Sequence, residues 1–117
     1  MEGVKTSDFY VTISVEETAE CLKMGLNGRL LKAEKLDEYQ LALSEGKEIC
    51  LLVFQKYSFR ADDRPILVVL LEGLEGKTKV HLCGAAALST FFGFDLMEVA
   101  KEFVQSAEAA LQKYKVE

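Results

Sequence analysis

The amino-acid sequence is poor in the residues that most often build metal and redox sites. It has one histidine, His81, and three cysteines at widely separated positions, with no C-x-x-C pair. A zinc site needs about four such ligands at close spacing, and a disulfide framework needs a regularly spaced, even set. We therefore predict that Cys21, Cys50 and Cys83 are reduced, and that the protein has no metal site and no cofactor.

Dense positive charge and long apolar runs are also missing. The formal net charge is -5, and no stretch has the clustered Lys and Arg that bind a phosphate backbone. No run reaches about 18 apolar residues, the length of a membrane span, and the N-terminal segment lacks the apolar part of a signal peptide. The sequence thus predicts a cytoplasmic protein that binds neither nucleic acid nor membrane.

What the sequence does contain is typical of one folded domain. Half of its residues are hydrophobic and 28% are charged, which is close to the average for globular proteins. No linker, repeat or low-complexity run divides the chain, and 117 residues are enough to bury a core. We predict a single domain over residues 1–117.

Residues 8–28 predict a strand followed by a helix. Phe9 and Val11 alternate with polar residues at the period of a half-buried strand, which we expect to extend to residue 14. Ser14 and Glu17 have the spacing of a capping box. Apolar residues then recur at helical spacing, and Asn27-Gly28 should end the helix because both residues tolerate the left-handed conformation.

Residues 29–43 fit either a strand or a short helix. Their Leu, Lys and Glu content suits a helix. A period of two also fits, except that Lys35 and Asp37 interrupt an otherwise apolar side that would carry Leu31, Ala33, Tyr39, Leu41 and Leu43. We favour the strand, because residues 44–47, S-E-G-K, form a credible hairpin loop into a clearer strand.

Three apolar runs joined by short turns follow, starting near residues 48, 65 and 78, and they predict an antiparallel meander. The middle run, P-I-L-V-V-L-L-E, is apolar on both faces, more than one covering helix readily hides. It is therefore either a central strand covered on both sides or a strand whose second side contacts another subunit.

The C-terminal segment predicts the longest helix. Asp95 and Glu98 have capping-box spacing, and Phe94 lies where a hydrophobic staple to Val99 would form. The apolar stripe runs from Leu96 to Tyr114, long enough to lie across a whole sheet. The predicted fold is α+β, with two layers and the order β-α-β-β-β-β-α, in which a curved, mainly antiparallel sheet grips a long C-terminal helix.

Several segments of residues 37–114 resemble a family of small uncharacterised bacterial domains. They are D-E-Y, V-F-Q-K-Y-S-F-R, L-E-G-L-E-G-K-T-K-V, F-F-G-F-D and F-V-Q-S-A-E-A-A-L-Q-K-Y. The sequence departs from that family where a glycine-rich stretch is replaced by the alanine-rich G-A-A-A-L-S-T. The resemblance implies a similar fold and a bacterial, cytoplasmic origin, and it transfers no site residue.

Three functional hypotheses remain. The first is a non-catalytic domain that binds a small apolar ligand between the sheet and the C-terminal helix, with lining residues Tyr39, Tyr57, Arg60, His81, Phe91 and Phe92. The second is a homodimeric protein-interaction module. The third is an enzyme of unknown reaction using Glu38, Arg60 and His81, which we favour least because the common catalytic motifs are missing.

Overall fold

The computed structural model describes residues 3–27, 33–56, 64–86 and 96–116. Two helices, α1 (Val15–Leu26) and α2 (Leu96–Leu111), accompany a five-stranded sheet in the predicted element order. The strands are β1 (Val4–Val11), β2 (Ala33–Ala42), β3 (Glu48–Lys56), β4 (Ile66–Leu74) and β5 (Lys77–Ala85). In space they run β1-β5-β4-β3-β2, and every neighbouring pair is antiparallel. The predicted α+β fold is confirmed.

The first strand is longer at its start than the alternation predicts. Strands β2 to β5 form the expected meander, and β1 pairs with β5 from Val4, opposite Ala85, to Val11, opposite Thr78. Its first half is polar, so it carries little hydrophobic signal, and the ladder with β5 holds it in the sheet instead. At its C-terminal end β1 is shorter than predicted, because it stops at Val11 and Ile13 belongs to the turn into α1.

Strand β2 confirms a strand over Ala33–Ala42, but the prediction of one apolar side was wrong. The register with β3 shifts between Lys35 and Asp37, where a β-bulge inserts one extra residue. Because alternate residues of a strand point to opposite faces, the bulge places Ala33 and Tyr39 on opposite faces of the sheet. The interruption seen in the sequence marks this bulge.

Both helices cover the same face of the sheet. Helix α1 packs on β2, β3 and β4, and α2 packs on β1, β5 and β4. The C-terminal helix packs on the sheet as predicted, and α1 covers the rest of this face, because one helix about 10 Å wide covers only half of a sheet about 24 Å wide. Between the layers lies one core, whose largest fully buried side chains include Phe54, Phe103, Leu22, Leu52, Leu67, Leu71, Leu82 and Leu111.

Both ends of α1 lie where the sequence predicts them. The Ser14 hydroxyl accepts from the Glu17 backbone N–H at 3.1 Å, and the Glu17 carboxylate accepts from the Ser14 N–H at 3.1 Å, which confirms the capping box. Asn27 caps the C-terminus with φ of -103°, outside the left-handed region, and Gly28 lies outside the described residues. The predicted cap at Asp95 and staple at Phe94 lie outside the described residues.

Gly84 allows the closest approach between the sheet and α2. A Cβ atom added to Gly84 would lie 2.7 Å from the carbonyl oxygen of Ala100 and 2.8 Å from Cγ2 of Val104. Real Cβ atoms do not approach other heavy atoms this closely. Glycine at this position therefore sets the separation of β5 and α2.

Candidate functional site

The face of the sheet turned away from the helices is the main candidate surface, which we call the open face. Residues directly opposite each other in neighbouring strands share a face, so the strand registers define its composition. Alternate residues of β3 and β4 on this face are only half-buried, whereas their neighbours in sequence are fully buried under the helices. The apolar part of the open face consists of Tyr39, Leu41, Ile49, Leu51, Val53, Ile66, Val68 and Leu70.

One row of side chains crosses the whole open face. It runs Tyr39, Leu51, Leu70, His81 and Asp8, one residue from each strand in the spatial order β2 to β1. The first three are apolar or aromatic, and Tyr39 is 58% exposed. The row therefore changes from an apolar end at β2 to a polar end at β5 and β1.

Two of the six predicted ligand residues lie in that row, and the structure does not bring them together. Tyr39 and His81 share the open face but lie on β2 and β5, three strand spacings or about 14 Å apart. The cross-strand partner of Tyr39 is Leu51 and not the region of Phe54, because the bulge shifts the register. The other four predicted residues, Tyr57, Arg60, Phe91 and Phe92, lie outside the described residues.

His81 forms a pair with Asp8 at the polar end of the row. Its Nδ1 atom lies 2.7 Å from the Asp8 carboxylate oxygen, and both side chains are partly exposed. Cys83 follows on the same face, whereas Cys50 lies on the buried face and Cys21 on α1. Sequence reasoning missed Asp8, because a pairing across 73 residues leaves no local signal.

Glu38 lies on the opposite face of the sheet, at the junction of β2 and α1. Its carboxylate accepts hydrogen bonds from Lys23 at 3.2 Å, Lys35 at 2.6 Å and Gln40 at 3.0 Å. The Lys35 hydrogen bond is the main reason that the pKa of Glu38 is lowered, while burial acts the other way. These contacts tie the edge strand to α1, and they leave Glu38 on the other side of the sheet from His81.

The predicted catalytic set therefore does not form one site in the described structure. Glu38 and His81 are separated by the sheet, and Arg60 lies outside the described residues. The thiol of Cys50 is buried, and burial raises its pKa, so it is protonated near neutral pH and a poor nucleophile.

The described clefts lie at an end and at an edge of the sheet. The larger, of about 630 Å³, is formed by the turns after β2 and β4 and the start of α1. The smaller lies between α1 and β2 and is lined by Glu16, Glu20 and Glu48. Neither cleft lies between the sheet and α2. In that region Gly84 is in close contact with α2, and Phe103 and Ala107 are fully buried. The apolar ligand cavity stays a prediction.

The described ranges show neither a cluster of metal ligands nor a membrane-spanning helix. These ranges contain no group of three or more His, Cys, Asp or Glu side chains placed to hold a metal ion. They also contain no helix with the length and apolar character needed to cross a membrane.

Comparison with known proteins identifies the family and the fold. The sequence matches a family of unknown function, DUF6054, over residues 5–115, so the chain belongs to that family. The crystal structure of an uncharacterised protein from Bacillus thuringiensis is similar, with a TM-score of 0.51 and 13% sequence identity. The match covers 94% of this chain and 96% of the other, which shows a shared fold. No curated protein matches the sequence.

Proposed function

We propose that this member of the DUF6054 family is a homodimeric protein-interaction module that assembles through the open face. The observation behind the proposal is the unbroken apolar surface across three neighbouring strands of the open face. In a domain with a cover on one face only, an antiparallel sheet normally alternates apolar and polar residues. Strands β3 and β4 instead present Leu51, Val53, Val68 and Leu70 on the face that no described element covers.

The size of the open face suits this role. Strands of nine residues at a spacing of about 4.8 Å form a five-stranded surface of roughly 24 by 30 Å, or about 700 Å². A stable protein–protein interface buries about 800 Å² on each partner. Two open faces packed about 10 Å apart, as in a β-sandwich, would supply most of that area.

The symmetry of the apolar surface favours a second copy of this chain as the partner. Leu51 and Val53 of β3 lie directly opposite Leu70 and Val68 of β4, so the apolar surface is similar on the two sides of the line between these strands. A two-fold axis parallel to the strands, between β3 and β4, places β2 of one subunit over β5 of the other. Leu51 then contacts Leu70 of the partner subunit, and Tyr39 lies over His81 of the partner subunit.

The mass in solution tests the proposal. Size-exclusion chromatography with light scattering should give at least twice the 13.0 kDa mass of one chain. The Leu51→Lys variant should weaken self-association by at least about tenfold, because each ammonium group would be buried in the apolar centre of the interface. In the free subunit the same lysine can extend into water, so its circular dichroism spectrum should be unchanged.

Met24→Lys is the matched control. Met24 is 77% exposed on α1, on the other side of the molecule from the open face. This variant gains the same charge and should keep the wild-type mass. A wild-type chain that stays monomeric at every accessible concentration would overturn the proposal, as would equal masses for Leu51→Lys and the wild type.

A further inference from the structure

The outer edge of β2 is a second surface, distinct from the open face, that no described part of the chain uses. The sheet has two edges, β1 and β2. The β1 edge is closed near its end by the C-terminal segment, where the Thr12 N–H donates to the Tyr114 carbonyl at 2.9 Å and the Val116 N–H donates to the Tyr10 carbonyl at 2.8 Å. No backbone group in the described ranges bonds to the outer edge of β2.

The ladder shows which β2 residues carry the free backbone groups. The Leu43 N–H donates to the Lys47 carbonyl, and the same register pairs Leu41 with Ile49. Hydrogen-bonded pairs alternate along an antiparallel ladder, so the N–H and C=O groups of Tyr39 and Leu41 also point towards β3. Those of Glu38, Gln40 and Ala42 point outward.

The β3–β4 ladder supports this assignment independently. The Lys56 N–H donates to the Pro65 carbonyl in the register that pairs Ile49 with Glu72. Even-numbered residues of β3 therefore bond to β4, which leaves its odd-numbered residues to bond to β2. Beyond the bulge, odd-numbered residues of β3 lie opposite odd-numbered residues of β2. The backbone N–H and C=O groups of the even-numbered β2 residues therefore point outward.

The second half of β2 lacks the features that normally protect an edge strand. Edge strands are protected from pairing by charges, prolines and bulges. In β2 the protective features are the bulge and four charged residues, and all of them lie before residue 39: Glu34, Lys35, Asp37 and Glu38. Residues 39–42, Y-Q-L-A, are uncharged. Tyr39 is 58% exposed and Leu41 is 42% exposed. A straight, uncharged and partly apolar edge is a template for another strand.

We propose that β2 pairs with β2 of a second copy, antiparallel about a two-fold axis at Gln40. In this register Gln40 lies opposite Gln40 of the partner subunit, and Glu38 lies opposite Ala42 of the partner. These are the outward-facing positions, so each pair exchanges backbone hydrogen bonds. On the open face, Tyr39 lies opposite Leu41 of the partner on both sides of the axis, a favourable aromatic–aliphatic cross-strand pair.

The neighbouring registers are less favourable. An axis at Glu38 places two carboxylates opposite each other and draws the bulge into the ladder. An axis at Tyr39 places the Asp37 carboxylate against Leu41 of the partner, which removes water from a charge without pairing it. The Gln40 register uses β2 residues beyond the bulge without either conflict.

This pairing joins two sheets into one of ten strands. Its axis is perpendicular to the sheet, so both pairs of helices lie on one side and both open faces lie on the other. The axis proposed for the open face runs along the strands between β3 and β4, so the two contacts use different surfaces of the sheet. The edge pairing does not depend on the open-face contact, because it rests on backbone groups at a different surface.

Cysteine cross-linking tests both the pairing and its register. Gln40→Cys and Tyr39→Cys are each made in a Cys21→Ser, Cys50→Ala, Cys83→Ser background, because Cys50 lies directly opposite residue 40 on β3 and would otherwise form an intrachain disulfide with the new thiol. The Cα atoms of a facing pair at position 40 would be about 5.5 Å apart, within disulfide range. Two Cα atoms at position 39 would be about 8 Å apart, which is too far. Mild oxidation should therefore convert most of the Gln40→Cys variant into a covalent dimer on a non-reducing gel, at least about fivefold more than Tyr39→Cys.

A gel that shows Gln40→Cys as monomer, or Tyr39→Cys cross-linked as efficiently, would overturn the assignment. A second comparison avoids oxidation. Gln40→Lys places like charges across the axis and should lower the mass in solution, whereas Gln40→Thr should keep it. Adding Leu51→Lys to the Gln40→Cys protein separates the two interfaces, because the edge disulfide should form even if the open-face contact does not exist.

Discussion

Replacing Gly84 by alanine tests the packing that places α2 on the sheet. The added methyl group would lie 2.7 Å from the Ala100 carbonyl oxygen and 2.8 Å from Cγ2 of Val104. The valine can rotate, but the carbonyl belongs to the helix backbone and cannot move without shifting α2. Gly84→Ala should therefore push β5 and α2 apart.

The expected cost follows from two opposing effects. Overpacking a core with an extra methyl group costs about 1–3 kcal/mol. Alanine also reduces the freedom of the unfolded chain, which returns about 0.4–1 kcal/mol. We expect a net loss of about 1–2 kcal/mol in the free energy of unfolding. For a chain of this size the melting temperature should fall by roughly 3–10 °C.

Urea unfolding followed by circular dichroism measures this change. Gly73→Ala on β4 is the matched control, because its added Cβ would lie 3.2 Å or more from its neighbours and should cost less. The double variant Gly84→Ala, Val104→Ala should lose less stability than the two single losses combined, since it removes one of the two close contacts. A Gly84→Ala protein as stable as the wild type would refute the close approach of β5 and α2.

Three further variants test separate contacts, each by urea unfolding. Ser14→Ala removes the capping box of α1 and should cost about 1 kcal/mol; no loss would show that the cap is dispensable. Thr78→Val removes a buried hydroxyl that donates to the Ile13 carbonyl at 2.7 Å. The free energy of unfolding should fall by about 1–2 kcal/mol. An equally stable variant would mean that this carbonyl finds another donor. Glu38→Gln should cost about 1–2 kcal/mol at neutral pH. The pKa of Glu38 in the folded protein is lowered from 4.5, so the ionised carboxylate stabilises the fold above pH 4.5. The stability advantage of the wild type over the glutamine variant should therefore vanish as the pH falls below 4.5. A stability difference that does not change with pH would contradict this role of Glu38.

Local features of the fold could be predicted because they depend on neighbouring residues. The capping box needs only Ser14 and Glu17 three positions apart, and the turns before β3 and β5 need glycines at residues 46 and 76, both of which adopt positive φ. The sequence also showed that the β4 segment is apolar on both of its faces. That pattern predicted an apolar surface on the side of the sheet that we call the open face. Its physical basis is periodicity, which a single segment contains in full.

The composition of the candidate site could be predicted only in part. Tyr39 and His81 were identified from the sequence, but their separation across the sheet depends on strand order. The bulge at residues 35–37 changed the face of every β2 residue on one side of it. The row that contains Tyr39 and His81 also contains Asp8, Leu51 and Leu70. These residues come together through strand pairings between distant segments, which no local sequence pattern predicts.

The sequence by itself determined most of the element types, the helix start at Ser14 and the excess of apolar residues on β4, because each follows from local spacing or composition. The tertiary structure decided which strands are neighbours, which side of β2 faces the helices and which edge of the sheet binds the C-terminal segment. It also decided that Glu38 and His81 lie on opposite sides. These outcomes depend on registers between residues far apart in the chain, where a shift of one position moves a side chain to the other face.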